Sequence, residues 1–247
     1  NISDNLDIFF SYYENLFENH HDIEKVKKLI IELSITGYIN NKKKSIFVKN
    51  SKLAIKKGWS LKTIKEIGKV YTGNSINKEE KKSKFTNKKG VPYLATKDIG
   101  YGWDIPNYDN GISIPENLTN FRYVKPNTPL ICAEGGSAGK KCAITLQKVC
   151  IGNKLIAIDL YEEIDSEFLL LNYLSNYFIT QFQNLMTGII KGISLKSFNN
   201  ILIPIPNTLE EQIEIVKEFK IINKTIEDVK INVSQKKNLE NEIIQSF

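Results

Sequence analysis

The sequence predicts an α+β protein: a mixed α/β domain with long coiled-coil-type helices at the N- and C-terminal ends. Three observations carry this. Between Gly58 and Pro206, short apolar runs alternate with Gly, Pro, Asn and Asp, the punctuation of strands and turns. Toward both ends the apolar residues recur every three or four positions, the helical period. Between these regimes, Phe198 to Phe219 reads FNNILIPIPNTLEEQIEIVKEF, an apolar strand that meets Pro204 and Pro206 and then a helix start.

In order, residues 4–37 read as helix within an N-terminal helical segment, 1–40. Ile23, Val26, Ile30 and Leu33 share one face, and Gly37 is placed to stop the helix. Residues 41–57 are rich in Lys and Asn and read as a linker, part of it a surface turn. In the domain at 58–206, the runs KVYTG, GVPYLATKDI, GISIP, PLICA, KCAITL and KLIAIDL read as strands. Leu169 to Leu185 has helical spacing and ends near Gly188; Ser194 to Asn200 is a helical turn, and Ile201 to Pro206 a closing strand. Proline cannot continue a sheet interior, so the globular unit finishes near Pro206 and a helix leaves it at a set angle. Thr208 and Glu211 have capping-box spacing and open that helix, within a segment at 207–247 free of Gly and Pro. Ile222, Ile226, Val229 and Val233 form a narrow seam; Lys236 interrupts it, and Leu239 with Ile243 resumes it one register over. A helix with one narrow stripe needs another helix. Antiparallel pairing inside the chain or with a second copy both satisfy it.

The net charge of +6 is uneven. Residues 58–203 carry 18 Lys or Arg against 13 acids, whereas 204–247 carry 6 Lys against 8 acids. From Lys62 to Lys97 there are 10 Lys against Glu66, Glu79 and Glu80. A local basic excess is the footprint of a polyanion partner; an AT-rich genome also produces Lys, Asn and Ile in excess. Apolar runs such as ILIPIP are too short to span a bilayer, and NISDNLD has neither a basic region nor a small-residue cleavage site, so a cytoplasmic chain with no membrane partner is expected. Cys132, Cys142 and Cys150 are odd in number and lack Cys-x-x-Cys spacing, as expected of reduced structural cysteines.

A search for chemistry finds little. The stretch EGGSAGKK at 134–141 fails as a phosphate loop, because Glu134 stands where Gly is required and Lys141 where Ser or Thr is. It reads as a Gly-rich hairpin whose Lys140 and Lys141 reach a phosphate backbone. His20 and His21 are the only histidines and, adjacent on a helix, point to different faces, so no metal site is expected. No catalytic residues are assigned. For nucleic acid the materials are present: Lys78, Lys81, Lys82, Lys84, Lys88 and Lys89 follow Thr72, interleaved with Asn74, Asn77 and Asn87. Lysine anchors to phosphates, and Asn reads adenine edges. Lys97 and Tyr101 lie in a second polar loop with Trp103 and Tyr108 around it. Arg122, the only arginine, is either a guanine contact or codon drift. Lys191 completes the candidate DNA-binding set, and Ile23, Val26, Ile30, Leu33, Ile222, Ile226, Val229 and Val233 form the candidate helix-packing and dimerisation set.

The succession GWSLKTIKEIGKVYTGN, VPYLATKDIGYG, TPLICAEGGSAGKKCAI, CIGNKLIAI with FLLLNYL, and TGIIKGISLKSFNNILIPIPNTLEEQIEIV resembles a specificity subunit of type I restriction–modification systems. It matches one target-recognition domain plus a conserved helix, over residues 58–247. The resemblance implies a non-catalytic, sequence-specific reader of half of a split double-stranded DNA target, with conserved helices that space two readers. It also implies docking to adenine methyltransferase subunits and a separate restriction or motor subunit. S-adenosylmethionine and ATP are then expected on partner subunits only, with no cofactor here. With one recognition domain instead of two, the chain reads as a half-length subunit that dimerises or as a piece of a longer one. The alternatives are the recognition portion of a fused restriction and methyltransferase enzyme, or a helical protein-binding assembly module.

Overall fold

A computed structural model describes residues 20–38, 47–49 and 53–245, with side chains described for 22–38, 53–231 and 234–235. In chain order the elements are α1 (His20–Thr36), β1 (Phe47–Lys49), β2 (Ala54–Lys56), β3 (Ser60–Thr63), α2 (Ile64–Ile67) and β4 (Gly68–Thr72). Next come α3 (Lys78–Glu80), a π-helical turn (Lys81–Phe85), β5 (Val91–Leu94) and a 3-10 turn (Thr96–Asp98). They are followed by β6 (Ser113–Ile114), β7 (Tyr123–Val124), β8 (Pro129–Cys132), β9 (Cys142–Ile144), β10 (Val149–Ile151) and β11 (Leu155–Leu160). The chain ends with α4 (Ser166–Tyr173), α5 (Asn176–Leu185), α6 (Leu195–Phe198), β12 (Leu202–Ile205) and α7 (Leu209–Gln245). Two compact units result: Gly58–Ile213, and Asn1–Lys57 with Glu214–Phe247. This is an α+β fold with helices toward both ends, as the periodicity predicts.

The central unit is built on two four-stranded sheets. One has the order β6-β5-β10-β7, with β5 and β10 parallel; the other, β4-β11-β8-β9, is antiparallel. Strand alternation decides what is buried. Leu94, Val149 and Ile151 from the first sheet join Tyr71, Leu130, Cys132, Leu155 and Ala157 from the second in one apolar cluster. Cys150, Val91 and Tyr93 point the other way and form a second cluster with Ile76, Phe85 and Ile114. Helix α4 packs against β8 and β9, which buries both faces of β8. Strands β3 and β12 form a separate two-stranded ribbon, in which Pro204 stands opposite Leu61. A two-stranded ribbon is all edge, the place where proline is tolerated.

The single helix expected from Leu169 to Leu185 is two. Ser175 interrupts it, its hydroxyl accepting from Phe178 N at 3.1 Å and donating to Asn172 O at 2.7 Å. A serine in extended conformation makes a better N-cap than a helix interior. The corner packs Tyr173, Phe178, Phe182 and Phe198 into an aromatic cluster. At the start of α7, Thr208 Oγ1 accepts from Glu211 N at 3.2 Å, one half of the expected capping box.

The terminal unit pairs α1 with α7. Ile23, Ile222, Ile226 and Val229 are buried together, with Val26 and Ile30 packed against them. Lys27 bridges Glu227 and Lys230 bridges Glu24, each at 2.9 Å, so the helices run antiparallel. The Lys230 hydrogen bond holds the Glu24 carboxyl below its ordinary range. Leu33 is half-buried outside that cluster, and the side chain of Val233 lies outside the described residues, as do residues 4–19 of the expected first helix. Part of the expected linker at 41–57 is a hairpin: Val48 pairs with Ile55 between β1 and β2, and α1 packs on β2. The β-branched Val48 and Ile55 suit paired strands, a preference the Lys and Asn content masks.

All three cysteines are free and buried. Burial pushes the thiols of Cys142 and Cys150 up to about 12 and raises that of Cys132. Because the thiolate is the reactive form, a disulfide reagent at neutral pH is expected to modify no cysteine in the folded chain and three in urea. A native thiol that reacts at the rate of a free one contradicts this packing.

Candidate nucleic-acid interface

The two sheets bring their loops to a common rim. In the second sheet, Thr72 at the end of β4 pairs with Ile156, Cys132 at the end of β8 with Leu155, and Cys142 at the start of β9 with Ile131. In the first, Leu94 at the end of β5 lies alongside Ile151, and Tyr123 at the start of β7 opposite Cys150. The turn after β10 ties the two together. Gly152 N donates to Leu94 O at 2.8 Å, Asn74 N to Ile151 O at 2.9 Å, and Ala133 N to Lys154 O at 2.8 Å. The loops after β4, β5 and β8 and before β7 therefore emerge at one end.

That end holds eight of the candidate residues. Asn74 is half-buried, and its amide is engaged within the protein: Oδ1 accepts from Arg122 N at 2.9 Å, and Nδ2 donates to Asn120 O at 3.0 Å. So Asn74 positions the loop carrying Arg122. The Arg122 guanidinium sits over the Tyr71 ring at 5.0 Å, and Tyr71 donates to Asp159 Oδ1 at 2.8 Å. Burial and that carboxylate raise the Tyr71 hydroxyl well above the ordinary phenol range, so it stays neutral and donating. An exposed arginine held over an aromatic ring is preorganised for bidentate contacts.

The Gly-rich segment at 134–141 is the connection of the β8–β9 hairpin. Lys141 Nζ donates to Thr96 O at 3.2 Å and lies over the exposed Tyr101 ring at 5.6 Å, which fastens this hairpin to the loop after β5. Lys140 and Lys97 are exposed beside it in sequence. Lys191 reaches the same end through its backbone, its carbonyl accepting from Gly135 N at 3.1 Å. Thr72 itself is half-buried in the β4 ladder.

The Lys-rich segment is anchored by Ile76 and Phe85, the latter edge-on to Phe121 with centroids 5.5 Å apart. Lys81 lies over Tyr93 at 4.9 Å, and Lys84 bridges Glu80 at 3.2 Å on an exposed surface. Lys78 and Lys82 are exposed on the same helical segment, whereas Lys88 and Lys89 precede β5, at the opposite end of that strand from the rim. Three features lay outside the sequence reading: Tyr71 under Arg122, the Lys154–Glu134 bridge at 2.9 Å, and the exposed Ile189 and Ile190. The first two join residues 51 and 20 positions apart, beyond any local pattern. The third is signalled by the glycines that bracket Ile-Ile-Lys.

Replacing Asn74 by Ala removes two hydrogen bonds at a partly solvated site. The expected cost is about 1 kcal/mol in urea unfolding, with the Arg122 backbone amide exchanging faster. Unchanged exchange at Arg122 contradicts the positioning role.

Among the described residues no group of His, Cys, Asp and Glu could hold a metal ion, and no helix is long and apolar enough to cross a membrane. Fold and rim define a class, that of an α+β recognition domain whose loops gather cations at one end. Residues 56–239 match the type I restriction modification DNA specificity domain, and the chain belongs to that family. Solved structures agree at the level of fold. The HsdS subunit from Thermoanaerobacter tengcongensis superposes with a TM-score of 0.64 at 19% identity, covering 99% of this chain and 56% of that one. A chain from a structure on complex assembly and conformational transition of the type I R-M system gives 0.62 at 20%, covering 96% and 56%. The S subunit of the type I system of M. genitalium gives 0.55 at 17%, covering 98% and 58%. The chain thus spans a little over half the length of these relatives. No curated protein matches it in sequence.

Proposed function

We propose that the chain is a DNA-specificity module that reads one half of a bipartite double-stranded target and docks adenine methyltransferase subunits. The observation that carries this is the rim: Arg122, Lys97, Lys140, Lys141 and Lys191 collected at one end of a two-sheet domain, inside the residues matched to the specificity family. Phosphate contacts from lysines fix register, and a preorganised arginine with its neighbouring loops reads base edges. The module acts in the cytoplasm without catalysis of its own. S-adenosylmethionine and ATP belong to the methyltransferase and motor subunits. Domains divide as a helical segment at 1–40, a connection at 41–57, the reader at 58–206 and a spacer helix at 207–247. The second half-site is read by another copy or another recognition domain; two identical copies call for a palindromic split target. Selection of bound duplexes from a random-sequence pool is the test, followed by mapping of methylated adenines after co-expression with the methyltransferase. One enriched motif, methylated in its split form, is expected. A pool left without enrichment by the folded chain sinks the proposal.

A further inference from the structure

The loop Thr187–Gly192 breaks a local rule. It is a tight hairpin closed by Thr187 N to Gly192 O at 2.8 Å and Gly192 N to Thr187 O at 3.0 Å, with Lys191 N donating to Gly188 O at 3.2 Å inside it. In the loop only Gly188 (φ 81) and Lys191 (φ 42) have positive φ, so the two central residues, Ile189 and Ile190, occupy an ordinary turn. Turn centres favour Gly, Asn, Asp, Ser and Pro. Here two β-branched apolar residues stand there, Ile189 at 103% exposure and Ile190 at 66%. A local violation without local gain marks a functional site.

The surroundings say what these side chains meet. Gly192 bridges Glu134, Gly135 N donates to Lys191 O at 3.1 Å, and Ile193 N donates to Ala133 O at 3.0 Å, so the loop is riveted to the Gly-rich hairpin. Lys140, Lys141, Lys191 and Lys154 are the cations of this region, and its one acid, Glu134, is neutralised by Lys154 at 2.9 Å. Cβ atoms added at Gly135, Gly136 and Gly188 would meet nothing within 4 Å, leaving backbone open to close approach. A stiff apolar tip in a cationic frame fits a polyanion with an apolar interior, which is stacked DNA.

We propose that Ile189 and Ile190 form a wedge that inserts at a base step of bound DNA and unstacks it, with Lys191 and Lys140 holding the flanking phosphates. This rests on the DNA-reading function above. Wedges of this kind exchange stacking for a deformed duplex that contacts more protein. The test uses a duplex enriched by the pool selection, carrying 2-aminopurine at successive positions. Wild type is expected to raise its fluorescence several-fold at one step. I189S/I190S is expected to abolish that rise and weaken affinity about tenfold, with an unchanged melting temperature, while I189V/I190V restores the signal. No rise with wild type, or a rise that survives in the serine variant, overturns the wedge while the DNA reading stands. Loss of methyltransferase co-purification in the serine variant with the fluorescence rise intact also overturns it and makes the tip a docking contact. Failure of the pool to enrich any duplex removes both proposals together.

Discussion

Gly73→Ala is expected to collapse the central unit, costing about 4 kcal/mol or more and lowering Tm by roughly 10–15 °C if the variant folds at all. The reason is space. Gly73 lies between Thr72 and Asn74, where the end of β4 passes the end of β10. A Cβ built there stands 1.7 Å from Ile151 O and 2.3 Å from Ile151 C. Both are backbone atoms in the seam between the sheets, and the adjacent Asn74 N–H to Ile151 O bond fixes that approach. No rotamer change relieves such a contact; the two strands must part, and the apolar cluster between the sheets opens with them. Gly136→Ala is the control. It sits in the Gly-rich turn with nothing within 4 Å of the new Cβ, and a change within about 0.5 kcal/mol is expected. Urea unfolding of the two variants beside wild type decides the matter. A Gly73→Ala protein as stable as Gly136→Ala would mean that the sheets do not meet at this seam.

That contrast marks where sequence stops being informative. The strands of KVYTG, PLICA and KLIAIDL were legible because alternation and flanking turn residues are local signals. So was the break at Pro206, where a residue without an amide proton ends the ribbon. Strands β7 and β10 were not, since two or three residues are too few to show a period, and β10 is buried on both faces. Ser175 split a helix that spacing alone makes continuous, because capping chemistry outweighs periodicity at a corner. At the rim, composition identified the cations but not their arrangement. It treated Lys88 and Lys89 like Lys140 and Lys141, although strand direction separates them by the length of β5. Nor does residue type reveal that the Asn74 amide is engaged by Asn120 and Arg122. Those pairings depend on the parallel placement of β5 beside β10, which no segment of the chain encodes alone.

Raising salt from about 50 to about 200 mM is expected to weaken binding of an enriched duplex on the order of a thousandfold, the consequence of roughly six phosphate contacts. The contacts should come from the rim. Replacing Lys97, Lys140 and Lys191 by Ala is expected to lower the slope of log affinity against log salt by about 3, at close to 0.9 per released counterion. Lys141 is left in place because it joins the Gly-rich hairpin to Thr96 O, and its loss would disturb the loop as well as the charge. Replacing Lys88 and Lys89 is the decisive comparison. They are as exposed and as basic, but they precede β5 instead of following it. If the net charge of +6 acts only as a diffuse field, each lysine removed lowers affinity alike from either end. If the rim is the interface, the Lys88 and Lys89 variant keeps its slope within about half a unit. An equal loss of slope per lysine in both variants, or affinity indifferent to salt, would remove the rim as the DNA-reading surface whatever motif the pool returns.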